Sequence, residues 1–172
     1  MDIDGMIKLA QKGDDDAFYE LISQRKAQLY KTAFAYVKNK EDALDIVSDT
    51  VYKAYISIKK LKEPSFFNTW LTRILINTSL DCINKRSKSV AFRENIRADI
   101  GIISKDDDEI IDLKVAVDKL SVKYKTIVIL KYFQDMTLME IANTLQCPLG
   151  TVKTNLHKAL GELRLELKEE LL

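Results

Sequence analysis

One run of side chains near the end of the chain is suited to meet nucleic acid. Thr151, Lys153, Thr154, Asn155, His157 and Lys158 are small, polar or basic, and no carboxylate follows until Glu162. Lysines neutralise phosphates, whereas amides and hydroxyls can reach base edges. Helical spacing sets these residues opposite an apolar stripe of Leu149, Val152, Leu156, Ala159, Leu160 and Leu163. A shorter segment precedes them. Thr137 is a good N-cap with Glu140 placed for a capping box, and Ile141, Ala142 and Leu145 recur on one face. Gln146 and Cys147 interrupt that helix, and Pro148 can open the next, because the first helical position has no use for an N–H. Two short helices joined by a turn, the second presenting amides, hydroxyls and cations, form the geometry that lays a helix in a DNA major groove.

Two further surfaces carry charge in a pattern. In the helix predicted from Phe67 to Arg86, Arg73, Asn77 and Asn84 line an outer face that finishes in Lys85 and Arg86. This is again a face of cations and amides, suited to phosphate and base contacts. In a helix starting at Asn39, Asp42, Asp45 and Asp49 share a stripe with no interleaved cation. Such neighbours repel one another by roughly a few tenths of a kcal/mol per pair. A basic or amide-rich partner would relieve that repulsion; a solvated face is the alternative reading.

Catalytic and metal chemistry find no constellation. His157 is the only histidine and lies in the nucleic-acid-facing run; Cys82 and Cys147 are far apart, with no metal spacing and no disulfide framework. There is no Gly-rich phosphate loop, and neither a cofactor nor a metal is expected. No apolar run is long enough to span a bilayer and no signal-peptide pattern opens the chain, so a soluble, cytoplasmic protein is expected. A net charge of +1 means that any nucleic-acid surface must come from charges segregated onto faces.

The elements that must position these groups are helices. Five glycines and two prolines among 172 residues, with 47% hydrophobic content, predict an all-α chain with enough apolar material for a core. A short helix runs from Asp2 to Lys12, ended by Gly13. A second, capped by Asp14 to Asp16, runs to about Val37 with Phe18, Leu21, Ile22, Leu29, Ala33 and Tyr36 inward. Ala43, Ile46, Val47, Thr50, Val51, Ala54 and Ile58 give the third its stripe. Leu61 to Phe66 is a loop. Periodicity is lost between Ser87 and Asp108, then resumes in a helix from Glu109 to Leu120 and another capped by Ser121, with Phe133 packing. Two small helical domains are therefore expected, residues 1–86 and 109–172, joined by a flexible linker, residues 87–108, with the helix-turn-helix in the second domain.

Two motifs in this order resemble a known family. EDALDIVSDTVYKAY followed by FNTWLTRILINTSLDCINKR is similar to region 2, and YKTIVILKYFQDMTLMEIANTLQCPLGTVKTNLHKALGELR to region 4, of the extracytoplasmic-function (ECF, group 4) RNA polymerase sigma factors. The Lys-, Ile- and Asn-rich flavour resembles that of the low-GC Gram-positive, sigma-V-like members.

The resemblance implies a binding subunit and not an enzyme. It assigns the helix with Asp42, Asp45, Asp49 and Lys53 to the beta-prime clamp helices of core RNA polymerase. The Lys59 to Phe66 loop, with Ser65 and Phe66, would pocket a flipped base of the −10 element. Arg73, Asn77, Asn84, Lys85 and Arg86 would hold the melted −10 strand, and Thr151, Lys153, Thr154, Asn155, His157 and Lys158 would read the −35 element. A membrane-anchored anti-sigma factor and an envelope-stress regulon are also implied. Departures accompany the resemblance. Gln146 stands where the family often has glycine, which predicts a turn other than the usual tight one. Asn155 replaces a frequent arginine, and Leu160 and Gly161 interrupt a usual basic run. The competing reading is a free-standing helix-turn-helix regulator that binds operators as a dimer. It leaves the aspartate stripe and the second cationic helix without a role.

Overall fold

The computed structural model describes residues 2–92 and 115–169, and every element among them is helical. The chain divides into two compact units, Met1–Asp99 and Ile100–Leu172.

The first unit is built from α1 (Ile3–Gln11), α2 (Asp15–Ser23), α3 (Lys26–Val37), α4 (Lys40–Ser57) and α5 (Phe67–Phe92), with 3-10 turns at Ile58–Lys60 and Pro64–Phe66. Local signals set most of the starts. Asp14 accepts from Ala17 N at 2.9 Å and Asn39 from Asp42 N at 3.0 Å, each satisfying a backbone donor that the helix leaves open. Gly13, at φ 97°, takes the left-handed turn that stops α1. Ile7, Phe18, Leu29, Ala33, Ile46, Leu71 and Leu75 are buried in one core, with Trp70 partly buried against it.

Three boundaries differ from the sequence reading. The helix expected from Asp14 to Val37 breaks at Gln24 and Arg25. Ser23 to Lys26 offers no apolar side chain to continue the stripe, and the break lets α2 pack on α1 while α3 packs on α4 and α5. The loop expected from Leu61 to Phe66 is preceded by one 3-10 turn and ends in another, with Ile58 and Leu61 both buried. Finally, α5 runs past Arg86 to Phe92, since neither glycine nor proline stands in the way. The rest of the expected linker, and the start of the helix expected from Glu109, lie outside the described residues.

The second unit contains the helical residues 115–119 (α6), α7 (Val122–Tyr132), α8 (Leu138–Leu145) and α9 (Leu149–Glu169). Ala116, Val117, Leu120, Val128, Ala159 and Leu163 form a core cluster between α6, α7 and α9. Lys125 Nζ meets Asp118 Oδ1 at 2.7 Å and Lys119 Nζ meets Glu166 Oε2 at 2.6 Å, so α6 is tied to both neighbours. Phe133, expected to pack, is 42% exposed, because the chain leaves α7 at that residue.

Candidate nucleic-acid interface

The helix-turn-helix forms where the sequence placed it. Thr137 Oγ1 accepts from Glu140 N at 3.2 Å, and the Glu140 carboxylate accepts from Thr137 N at 2.7 Å and from Thr137 Oγ1 at 2.8 Å. Both halves of the capping box are therefore present. The hydrogen bonds from Thr137, backbone first and hydroxyl second, hold the Glu140 carboxyl below its ordinary range.

The turn corrects one expectation. Gln146 adopts φ 53°, ψ 45°, the left-handed conformation that glycine takes without penalty, and Cys147 N donates to Ala142 O at 3.1 Å. The tight turn is made without glycine, at a backbone cost of about 1 kcal/mol. Pro148 sits just outside α9, its carbonyl accepting from Thr151 N at 2.9 Å.

Along α9 the exposed face carries Thr151, Lys153, Thr154, His157 and Lys158. Asn155 does not belong to it: this residue is only 6% exposed and lies on the buried stripe with Val152, Ala159 and Leu163. Its assignment as a −35 base reader is therefore corrected. The residue was placed outward by its polarity, whereas its spacing from Val152 and Ala159 already pointed inward.

In the first unit α5 presents Asn77, Asn84 and Lys85 to solvent, with Arg73 half-buried on the same side. Arg86 points elsewhere. It recurs at helical spacing after Leu75, Thr78 and Cys82, the side that packs on α4, and it forms an ion pair with Asp42. Residues expected to serve two different surfaces thus meet each other. The stripe itself holds no interleaved cation, as its sequence shows, but α5 supplies one to Asp42 from across the seam. Lys53 is engaged in the same way, donating to Thr78 Oγ1 at 3.0 Å, with Asp81 Oδ2 at 4.0 Å.

Asp45 and Asp49 remain exposed on α4. Burial pushes the Cys82 thiol up, the Asp45 and Asp49 carboxylates add to that rise, and the Lys85 ammonium opposes it. These groups share one neighbourhood along the α4–α5 seam.

The structure adds residues that the sequence reading passed over. Tyr52, 65% exposed, and Ile56 continue the Asp45–Asp49 face down α4. Beside them a groove of about 540 Å3 opens between α2 and α4, lined by Phe18, Tyr19, Val51, Tyr52 and Tyr55. Exposed aromatic side chains are enriched at protein–protein contacts, and charged groups such as these carboxylates suit the polar rim. The signal in the sequence was Tyr52 at helical spacing from Asp45 and Asp49. The loop after α4 carries another exposed aromatic, Phe66, at 54%, next to exposed Ser65. Among the described residues no cluster of His, Cys, Asp or Glu could hold a metal ion, and no helix is long and apolar enough to cross a membrane.

An acidic and aromatic face and an amide-bearing helix in one unit, with a helix-turn-helix in the other, are surfaces of the kind carried by proteins that meet both nucleic acid and another protein. The sequence profile of sigma-70 region 2 matches residues 21–89, and that of sigma-70, region 4 matches residues 110–163. The chain is 36% identical to the RNA polymerase sigma factor SigV of Bacillus subtilis over 149 residues, 87% of this chain and 90% of that protein. It is 31% identical to the ECF RNA polymerase sigma factor SigW of the same organism, over 95% of each chain. In fold it resembles CnrH, solved in complex with the cytosolic domain of CnrY, at TM-score 0.76 and 20% identity over 97% of each chain. It likewise resembles the Bartonella quintana sigma factor RpoE, solved with the anti-sigma factor NepR, at TM-score 0.76 and 23% identity, covering 88% of this chain and 96% of that one. The chain belongs to the ECF RNA polymerase sigma factors. It is accordingly a non-catalytic transcription initiation factor.

Proposed function

We propose that this chain binds core RNA polymerase in the cytoplasm through the α4 face of Asp45, Asp49 and Tyr52, and directs it to promoters by reading two DNA elements. The exposed face of α9, with Thr151, Lys153, Thr154, His157 and Lys158, enters the major groove at −35. Asn77, Asn84 and Lys85 of α5, with Arg73 beside them, hold the melted −10 strand, and the Lys59 to Phe66 loop receives a flipped base against exposed Phe66. Asp42 and Arg86 serve this reading indirectly, as the pair that ties α4 to α5. Two units on one chain gain from each other, because docking one raises the local concentration of the second.

The observation that carries the reading is the occurrence of regions 2 and 4 in order on one chain, each presenting a polar or cationic helix to solvent. The solved relatives bound to CnrY and to NepR support an anti-sigma partner, here proposed as membrane-anchored, with the α2–α4 groove as a surface it can cover. An envelope-stress regulon follows from the same reading.

The test is in vitro transcription with core polymerase on a pool of genomic promoter fragments. The expected result is a small set of transcripts that appear only when this chain is added. Failure to join core polymerase, combined with tight binding of duplex sites by the isolated chain as a dimer, would instead establish the operator-binding regulator.

A further inference from the structure

The residues matched by region 2 begin at 21, so α1 stands outside them. Yet α1 packs on both 3-10 turns of the Lys59 to Phe66 loop, the first at its start and the second at its end. Its last residue, Gln11, is half-buried and turns its side-chain amide on that loop. Gln11 Nε2 donates to Leu61 O at 2.6 Å and to Ile58 O at 3.3 Å. These carbonyls stand at the two ends of the first turn, which is closed by Leu61 N donating to Ile58 O at 3.1 Å. Beneath it the Ile58 and Leu61 side chains are buried in the same core as Ile7 and Ala10 of α1. The turn is held from below by apolar contact and from the side by one amide nitrogen that uses both of its N–H groups.

We propose that Gln11 is a positioning residue for base capture, holding the turn from which residues 59–66 project toward the DNA. The inference rests on the reading of that loop as the −10 base pocket. A loop ordered in advance does not charge its ordering entropy to the captured base, whereas a loosened one does. An amide fits the task because one nitrogen supplies two donors. An ionised carboxylate supplies none, and a thioether of similar length supplies none while keeping the volume.

The experiment uses the full chain reconstituted with core polymerase, on a promoter library randomised across the −10 and −35 elements. Transcribed templates are sequenced to give base preferences at each position, and core capture is measured in parallel. Gln11→Met and Gln11→Glu are expected to flatten the −10 preference by about tenfold, with the −35 preference and core capture unchanged. Phe66→Ala, in the loop itself, is expected to flatten the same −10 position. Unchanged −10 preference in both Gln11 variants, with Phe66→Ala effective, overturns the inference and leaves the loop reading intact. Loss of core capture in step with the −10 effect also overturns it, because Gln11 would then serve the whole unit. A Phe66→Ala profile identical to wild type removes the loop reading, and the inference with it.

Discussion

Replacing Arg86 by alanine should destabilise the first unit more than replacing Asp42, its partner, although both changes break the same contact. Asp42 Oδ2 is covered while the Arg86 guanidinium lies against it, so Arg86→Ala leaves a partly enclosed carboxylate on the α4–α5 seam without its counterion. Removing one partner of a fully buried ion pair costs about 3–5 kcal/mol. The Asp42 side chain is 21% exposed and that of Arg86 49%, so water and salt screen part of the loss. About 1–2 kcal/mol is the resulting expectation. Asp42→Ala instead leaves a half-exposed guanidinium that water can solvate. Its cost is below about 1 kcal/mol, chiefly the lost interaction of a first-turn acid with the positive end of α4. The double variant should match Asp42→Ala.

Urea unfolding followed by fluorescence isolates the effect, because the single tryptophan, Trp70, packs against the first unit's core. Core capture supplies the functional comparison. Asp45→Arg with Asp49→Arg should cut capture at least tenfold by placing two cations on a surface proposed to meet a basic or amide-rich partner. Asp42→Ala should leave it within about twofold, since its carboxylate is engaged inside the unit. Equal destabilisation by the two single variants would refute the asymmetry. A collapse of capture in Asp42→Ala, at unchanged stability, would show that Asp42 faces the polymerase after all.

Further outcomes follow for the second unit. Lys153→Ala should weaken promoter binding nearly uniformly over sequences and reduce the salt slope of binding by about one. Asn155→Asp should act on folding, lowering the unit's stability by about 2 kcal/mol or more as a charge enters a buried position, which thermal unfolding by circular dichroism will show. Gln146→Gly should raise that stability by about 1 kcal/mol, by relieving the left-handed conformation of a residue with a Cβ; no gain would mean that Gln146 makes compensating contacts. Glu140 has a depressed folded-state pKa, so its stabilising effect is complete above the ordinary carboxylate range and is lost as pH falls through the lower folded value. Glu140→Gln should therefore remove part of the acid sensitivity of α8, seen as a flatter stability profile on the acid side of pH 5 or so.

Much of the architecture was legible because it depends on near neighbours. The Thr137–Glu140 capping box, the N-caps at Asp14, Asn39 and Ser121, and the stop at Gly13 each involve residues within one helical turn. The inward sets of α2, α3 and α4 were equally readable, since burial follows the helical period. The break at Gln24 was not, because a gap of one turn in the stripe, from Ser23 to Lys26, does not by itself end a helix. It arises from where α1, α4 and α5 lie. The end of α5 was misplaced for a related reason: loss of apolar periodicity signals loss of packing, and a helix free of glycine and proline can continue without it.

The amino-acid order alone therefore determined the helical class, the two region motifs in sequence, and the polar character of the faces on α5 and α9. Tertiary packing decided which polar residues are available to a partner. It turned Asn155 inward, closed Arg86 on Asp42, set Lys53 against Thr78, and brought Gln11 against a loop far along the chain. Polarity is a property of one residue, whereas exposure and pairing depend on which surfaces of distant segments come to lie against it, and local periodicity holds no record of that.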